Sequence, residues 1–277
     1  MRKRVSKQNP KRTRFIILLF LAVLLIGIAC TGRFLAPFDP LEADFTVSLQ
    51  KPGGLHICGT DKLGRDIFSR ILCGAGTSFS LTFLMVTVTS LTGTVIGMTA
   101  GYLGGRTDTM IMRFTDILLA FPSSVFAIAV AGILGAGIFH TVMALSFVWW
   151  TKYARMSRGL VSAMRGKDFL CAARFSGVRG ISMIRKYILP NIMPQMMIMA
   201  TLDIGSMMMA LAGLSFLGLA AQPPAPEWGY MLFESKQYMQ TAPWMMIYPG
   251  LAILITVMIF NLLGDSVRDL LDPRRNN

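Results

Sequence analysis

The feature that most constrains this chain is a series of long apolar runs separated by basic segments. A helix crossing the hydrocarbon core of a bilayer needs about 20 consecutive, mostly apolar residues. The runs cover residues 15–30, extendable to 35, then 78–101, 117–135, 138–150, 194–219 and 245–263. Lipid offers no hydrogen-bond partners, so each run must satisfy its backbone internally, as a helix. Composition agrees. Only 15% of the residues are charged, where a soluble domain carries about 25%. The expected class is an all-α integral membrane protein with six transmembrane helices.

The distribution of Lys and Arg orients the chain. With the N-terminus inside, segments 1–14, 102–116, 151–193 and 264–277 are cytoplasmic and hold 21 Lys and Arg residues, against 5 in the outer segments 36–77 and 220–244. This excess on one side is the positive-inside pattern, and it places both termini in the cytoplasm. The net charge of +13 would suggest nucleic acid in a soluble protein. Here the cations lie between apolar runs, so membrane lipid and not nucleic acid is the expected partner. The first run follows a tail with seven cations between Arg2 and Arg14, as a signal peptide does. Its length and the poor cleavage site at Ala29-Cys30-Thr31 favour a retained span. The organisation is a basic tail at 1–14, a first span at 15–35, an extracytoplasmic segment at 36–77, a five-helix core at 78–265 and a second tail at 266–277.

Catalytic chemistry finds little support. The cysteines are Cys30, Cys58, Cys73 and Cys171, with no C-x-x-C pair, so a zinc or redox site is not indicated. Cys58 and Cys73 share one segment and leave a disulfide open. His56 and His140 are too few for a metal site of the soluble type, and no metal is assigned. There is no Gly-x-x-x-x-Gly-Lys-Ser/Thr phosphate loop, so this chain is not expected to bind ATP. A membrane enzyme would need clustered His, Asp or Ser within the runs, and an ion-coupled transporter would show internal repeats. Neither is evident.

The segment 151–193 carries nine cations and one acid, Asp168. Contact with anionic lipid accounts for the charge. It does not account for the cluster Phe169-Leu170-Cys171-Ala172-Ala173, the break at Gly177 or the stretch ending Ile188-Leu189-Pro190-Asn191. These predict two short helices broken at a glycine, the second stopped by proline. Small Ala172 and Ala173 would let a partner's surface approach.

These residues carry a resemblance. Cys171-Ala172-Ala173-Arg174-x-x-Gly177 followed by Leu189-Pro190 resembles the EAA loop of ABC-importer permeases, with Cys171 where that family usually has Glu. Gly59-Thr60-Asp61-x-Leu63-Gly64-Arg65-Asp66-x-x-Ser69-Arg70 resembles the signature of the C-type permeases of dipeptide, oligopeptide and nickel importers. Leu214-Ser215-Phe216-Leu217-Gly218-Leu219, then Pro223-Pro224-x-Pro226-x-Trp228-Gly229, resembles their fifth-span exit. The resemblance implies a type I ABC-importer permease fold in the cell membrane. It makes 157–190 a coupling loop whose helix, with Cys171, Ala172, Ala173, Gly177, Leu189 and Pro190, sits in a groove of the ATPase. It implies as partners a second homologous permease, two ATPase subunits that bind ATP and Mg, and an extracytoplasmic binding protein that selects the cargo. From the residues themselves, Asp61, Asp66, Arg65 and Arg70 are expected to pair and form a structural collar.

A charge inside a span is costly and marks a functional position. Asp116 stands at the inner end of the third run, where water or Arg113 would satisfy it. Asp203 lies midway along the fifth run, among methionines that include Met207 and Met208. Two roles stay open for Asp203, a hydrogen bond to another span and a place on the translocation path. Thioethers are soft ligands, but flexible packing explains methionines equally well. Thr201-Leu202-Asp203-Ile204-Gly205-x-Met207-Met208 resembles the nickel-permease version of this span, although Ser206 stands where that version can carry His. The peptide version usually lacks the Asp and has an acid near Ala210. The cargo implied is nickel or a nickel-like metal, free or chelated; the alternative is a dipeptide or oligopeptide.

Overall fold

The computed structural model describes residues 10–271. The tail residues Arg2, Lys3, Arg4 and Lys7, and 272–277 of the second tail, lie outside them. The α-helices among the described residues run in the order α1 (Pro10–Leu35), α2 (Ile67–Leu103), α3 (Gly105–Leu119), α4 (Ser123–Leu134), α5 (Ile138–Met164), α6 (Asp168–Phe175), α7 (Ile181–Met183), α8 (Leu189–Phe216), α9 (Trp228–Ser235) and α10 (Trp244–Leu271); residues 36–66 between α1 and α2 are mostly turns and loop. The chain divides into two compact units, which α2 and α8 both traverse.

The first unit contains residues up to Ser80, Thr201–Met209 and Pro223 onward. Here α1 packs on α10. The backbone of α1 runs close to α2, because a Cβ at Gly32 would collide with the Leu72 carbonyl. The middle of α8 meets α10 through small residues too. A Cβ at Gly205 would fall 2.7 Å from Asn261 Oδ1, and one at Gly264 would fall 2.5 Å from Leu202 Cδ2. Without a hydrophobic drive between helices in lipid, such close approaches supply the packing. Helix α9 begins at a buried cap. The Glu227 carboxylate accepts from the backbone N–H groups of Gly229 and Tyr230 at 2.9 and 2.8 Å, which satisfies two otherwise orphaned donors.

The second unit contains Leu81–Ala200 and Ala210–Gln222. In it α2 and α5 run parallel along a glycine seam. Cβ atoms at Gly93 and Gly97 would collide with the carbonyls of Trp150 and Ala154, and one at Gly101 would lie 3.0 Å from the Arg158 carbonyl. Both helices use every fourth residue, which keeps the contact on one face. Helix α3 stops at Leu119 and α4 restarts at Ser123 after an 80° bend. The cause is Pro122, which has no N–H to continue the ladder and pushes Phe121 out of the helical region.

Among the described residues, four helices are long and apolar enough to cross a membrane alone: Lys11–Leu35, Ile67–Leu103, Ile181–Phe216 and Trp244–Leu270. The bent pair α3 and α4 makes a fifth if counted as one span. The six expected runs therefore differ from the helices in two places. The third run straddles the Pro122 break. The fourth is only the first half of α5, whose second half carries Lys152, Arg155 and Arg158.

A further difference concerns the expected stop at Pro190. The helix continues through it, from Ile181 to Phe216. A π-helical turn, Ile184–Ile188, lies just before Pro190 and has Leu189 N–H bonded to the Ile184 carbonyl. The widened turn spaces the carbonyls so that the missing proline donor interrupts nothing further.

Candidate functional site

Helix α6 is built to be held on one face and offered on the other. Leu170 and Ala173, three residues apart, are buried. On the opposite face Ala172 is exposed and Phe175 has 93% of its surface exposed, while Arg174, exposed as well, flanks the buried face. Asp168 in the first turn and Arg174 in the last complement the helix dipole. The end is a Schellman motif. Val178 N–H donates to the Ala173 carbonyl at 3.0 Å and Gly177 N–H to the Arg174 carbonyl at 3.0 Å, with Gly177 at φ +80°. That left-handed conformation is why glycine stands there.

This geometry corrects one expectation. Ala173 is buried within its own unit and is not open to a partner, whereas Ala172 is exposed. Cys171 is half-buried between the two faces, Leu189 is half-buried, and Pro190 is exposed on the side of a continuous helix.

The basic stretch is also less free than its charge suggested. Arg158 grips Asp108 bidentately, with Nε–Oδ1 at 2.9 Å and Nη2–Oδ2 at 2.6 Å. Arg155 reaches Asp116 at 2.5 Å, where water or Arg113 was expected. Arg165 donates from Nε and Nη2 to the Gly101 carbonyl. These partners belong to α2 and α3, so no local reading of 151–193 could find them.

The collar forms with a changed cast. Arg65 Nε meets Asp61 Oδ2 at 2.6 Å, and the Glu234 carboxylate accepts from Arg65 at 3.0 Å and Arg70 at 2.8 Å. Glu234, on α9, was not foreseen. Asp66 does not pair with the arginines. It caps α2 by accepting from Ser69 N–H and Oγ–H, both at 2.7 Å, and it faces His56 Nδ1 at 3.0 Å. The sequence signal was there in Asp66-x-x-Ser69. Nearby, burial and then the Asp66 charge push the Cys58 thiol up from its ordinary value. Burial and Glu234 raise the Tyr230 phenol, against Arg65 and Arg70. Cys58 and Cys73 are both free. Cys58 lies within the field of Asp66, whereas Cys73 lies near Arg33 and Asp39, so the two thiols have different surroundings and the open disulfide is not formed.

In the fifth run, Asp203, Met207 and Met208 are buried, each with 2% of its surface exposed. Met193, Met197 and Met209 face outward, and the methionines therefore do not form one cluster. The described residues contain no group of three or more His, Cys, Asp or Glu arranged to hold a metal. Asn261 of α10 sits against Gly205, two residues beyond Asp203, and brings an amide to this stretch of α8.

Several helices long and apolar enough to cross a membrane, with a capped amphipathic helix between two of them in sequence, define a multi-pass membrane protein. Residues 93–277 match the family described as "Binding-protein-dependent transport system inner membrane component", and the chain belongs to that family. It is 40% identical to the nickel transport system permease protein NikC of Escherichia coli K12, over 92% of each chain. It is also 40% identical to the dipeptide transport system permease protein DppC of Alkalihalophilus pseudofirmus, over 97% of this chain and 88% of that protein. With the glutathione transport system permease protein GsiD of Pectobacterium atrosepticum it shares 41% identity, over 91% and 84%. Its fold is similar to that of a chain in the MetNI methionine ABC transporter in inward-facing conformation, with TM-score 0.53 and 20% identity over 71% of this chain and 95% of that one. The chain is an ABC-importer permease subunit.

Proposed function

We propose that this chain forms half of the translocation path of an ATP-driven importer for nickel or a nickel-like metal, free or chelated. It works beside a second homologous permease, two ATPase subunits that hold ATP and Mg, and an extracytoplasmic binding protein. Six crossings of the cell membrane with both termini cytoplasmic fit best. The parallel course of α2 and α5 supports this count, since the chain between them must return once across, and only α3 with α4 is available for it. The charge asymmetry supports the orientation.

The observation that carries the reading is α6. It is anchored by Leu170 and Ala173, ended by Gly177, and presents Ala172 and Phe175 outward. An exposed apolar helix face beside cations suits insertion into a protein groove. Asp203, buried within a span, supports a cationic cargo, since a buried carboxylate gives a path negative potential. Selection is then left to the binding protein, and weak contacts along the path suffice.

A second cargo, a dipeptide or oligopeptide, is favoured by one observation: the dipeptide permease DppC matches this chain at the same 40% identity as the nickel permease NikC. One experiment separates them. Cells with and without the chain are given radioactive nickel chloride or a labelled dipeptide. Nickel uptake that depends on the chain is the expected result. Dipeptide uptake alone would replace the metal reading, and loss of neither would refute both cargo readings.

A further inference from the structure

Both ends of α6 are tied to two adjacent residues in the last turn of α2. On the upstream side Arg165, three residues before α6, donates from Nε and Nη2 to the Gly101 carbonyl. The guanidinium lies where a side chain of Gly104 would be: a Cβ there would stand 2.6 and 2.8 Å from Arg165 Nη2 and Nη1. On the downstream side the backbone N–H of Gly180 donates to the Tyr102 hydroxyl at 2.9 Å. Gly180 holds φ +59°, a left-handed turn that aims its N–H at α2, while its carbonyl accepts from Ile184 N–H at 3.2 Å to begin the next helix.

The downstream tie matters because little else secures that stretch. Between the buried Ala173 and Met183, every residue is exposed except half-buried Val178. A push on α6 could therefore be absorbed by the turn at 176–180 instead of reaching the spans. The Tyr102 hydroxyl closes that slack. Its own helix is held to α5 by the glycine seam at Gly93, Gly97 and Gly101, and Arg158 with Asp108 fixes the start of α3 to α5. Displacement of α6 then passes to α2, and α2 carries α5 with it.

We propose that Tyr102, with Arg165, is a positioning residue that transmits movement of α6 to the α2–α5 pair. This rests on the assignment of α6 as the ATPase dock. Both act through the contacts they make with Gly180 and Gly101.

The test uses the full complex reconstituted in liposomes, with wild type, Y102F and, as a second variant, R165K. Y102F removes one oxygen and keeps the ring; R165K keeps the charge and loses the fork. One hydrogen bond of this kind shifts a local equilibrium roughly two- to tenfold. Amide exchange across 176–183 in Y102F is expected to quicken by that factor. ATP hydrolysed per molecule imported, with radioactive nickel chloride as probe and a labelled dipeptide run beside it, is expected to rise by a similar factor at matched amounts of assembled complex. A purely structural role would lower the amount of complex and leave that ratio alone. Faster exchange with an unchanged ratio in both variants overturns the proposal. Cross-linking of Cys171 to the ATPase subunit in wild type keeps the two readings apart. Its presence with an unchanged ratio sinks only the role of Tyr102; its absence removes the ATPase dock and this inference with it.

Discussion

Replacing Glu234 by Gln tests whether the collar is held by charge. The Glu234 side chain is 8% exposed, that of Arg70 is 1% and that of Arg65 is 6%. This carboxylate thus bridges two buried guanidiniums, at 3.0 and 2.8 Å. Removing one partner of a buried pair costs about 3–5 kcal/mol, because the other charge stays buried. Gln keeps the shape and one acceptor, and Asp61 still faces Arg65 at 2.6 Å and Arg70 at 3.6 Å. The low end, about 3 kcal/mol, is therefore expected. It falls on the attachment of the segment before α2 to α9, so local opening should rise on the order of 100-fold. Limited trypsin digestion in detergent reads this directly, since cleavage after Arg65 requires the segment to open. The control is Lys62→Ala. That ammonium lies 4.0 Å from Glu234 and is 38% exposed, a pair worth about 0–1 kcal/mol. Cleavage of Glu234→Gln at the wild-type rate would refute the charge-based account and leave apolar packing as what holds the collar.

Three other outcomes are expected. Gly97→Ala puts a Cβ against the Ala154 carbonyl and Ser157 Oγ, so α2 and α5 must part; a loss of about 1–3 kcal/mol should lower the melting temperature in detergent, and unchanged melting would show the seam to be looser than described. Maleimide at neutral pH should spare Cys58 in the folded protein, because its thiol is buried and raised by burial and then by Asp66; labelling of the Cys58 peptide, read by mass spectrometry, should rise on unfolding, and rapid labelling of the folded protein would contradict its environment. Asp203→Asn should reduce nickel uptake about tenfold or more without loss of assembly if the carboxylate lines the path; full uptake would make it a structural hydrogen-bonding group.

What the sequence disclosed follows the range of the forces involved. Long apolar runs and turn signals are local. Residues 15–35 and the break at Gly177 were accordingly readable, the latter because a Schellman end needs a left-handed residue at one place. Pairings across the fold were not. Glu234 lies 164 residues from Arg70, and its neighbours Phe233 and Ser235 give no hint of a buried cation. Ala173 was misassigned for a different reason: two adjacent alanines look alike in sequence, but a helix turns about 100° between them, and only contact with the body decides which one faces in. Pro190 misled because proline stops a helix only if no widened turn precedes it, and a π-turn has no sequence signature.

The seam between α2 and α5 admits one register only. Sliding α2 by one turn in one direction would set Thr89 against the Trp150 carbonyl, where there is room only for hydrogen. Sliding it the other way would leave Arg158 opposite residue 105, beyond the end of α2 at Leu103. The two helices therefore cannot ratchet past each other, as packed helices with interchangeable contacts can. They form a stiff strut, and any conformational cycle in this subunit must turn the pair as one lever and place its hinges elsewhere, with the bend at Pro122 the nearest point of give.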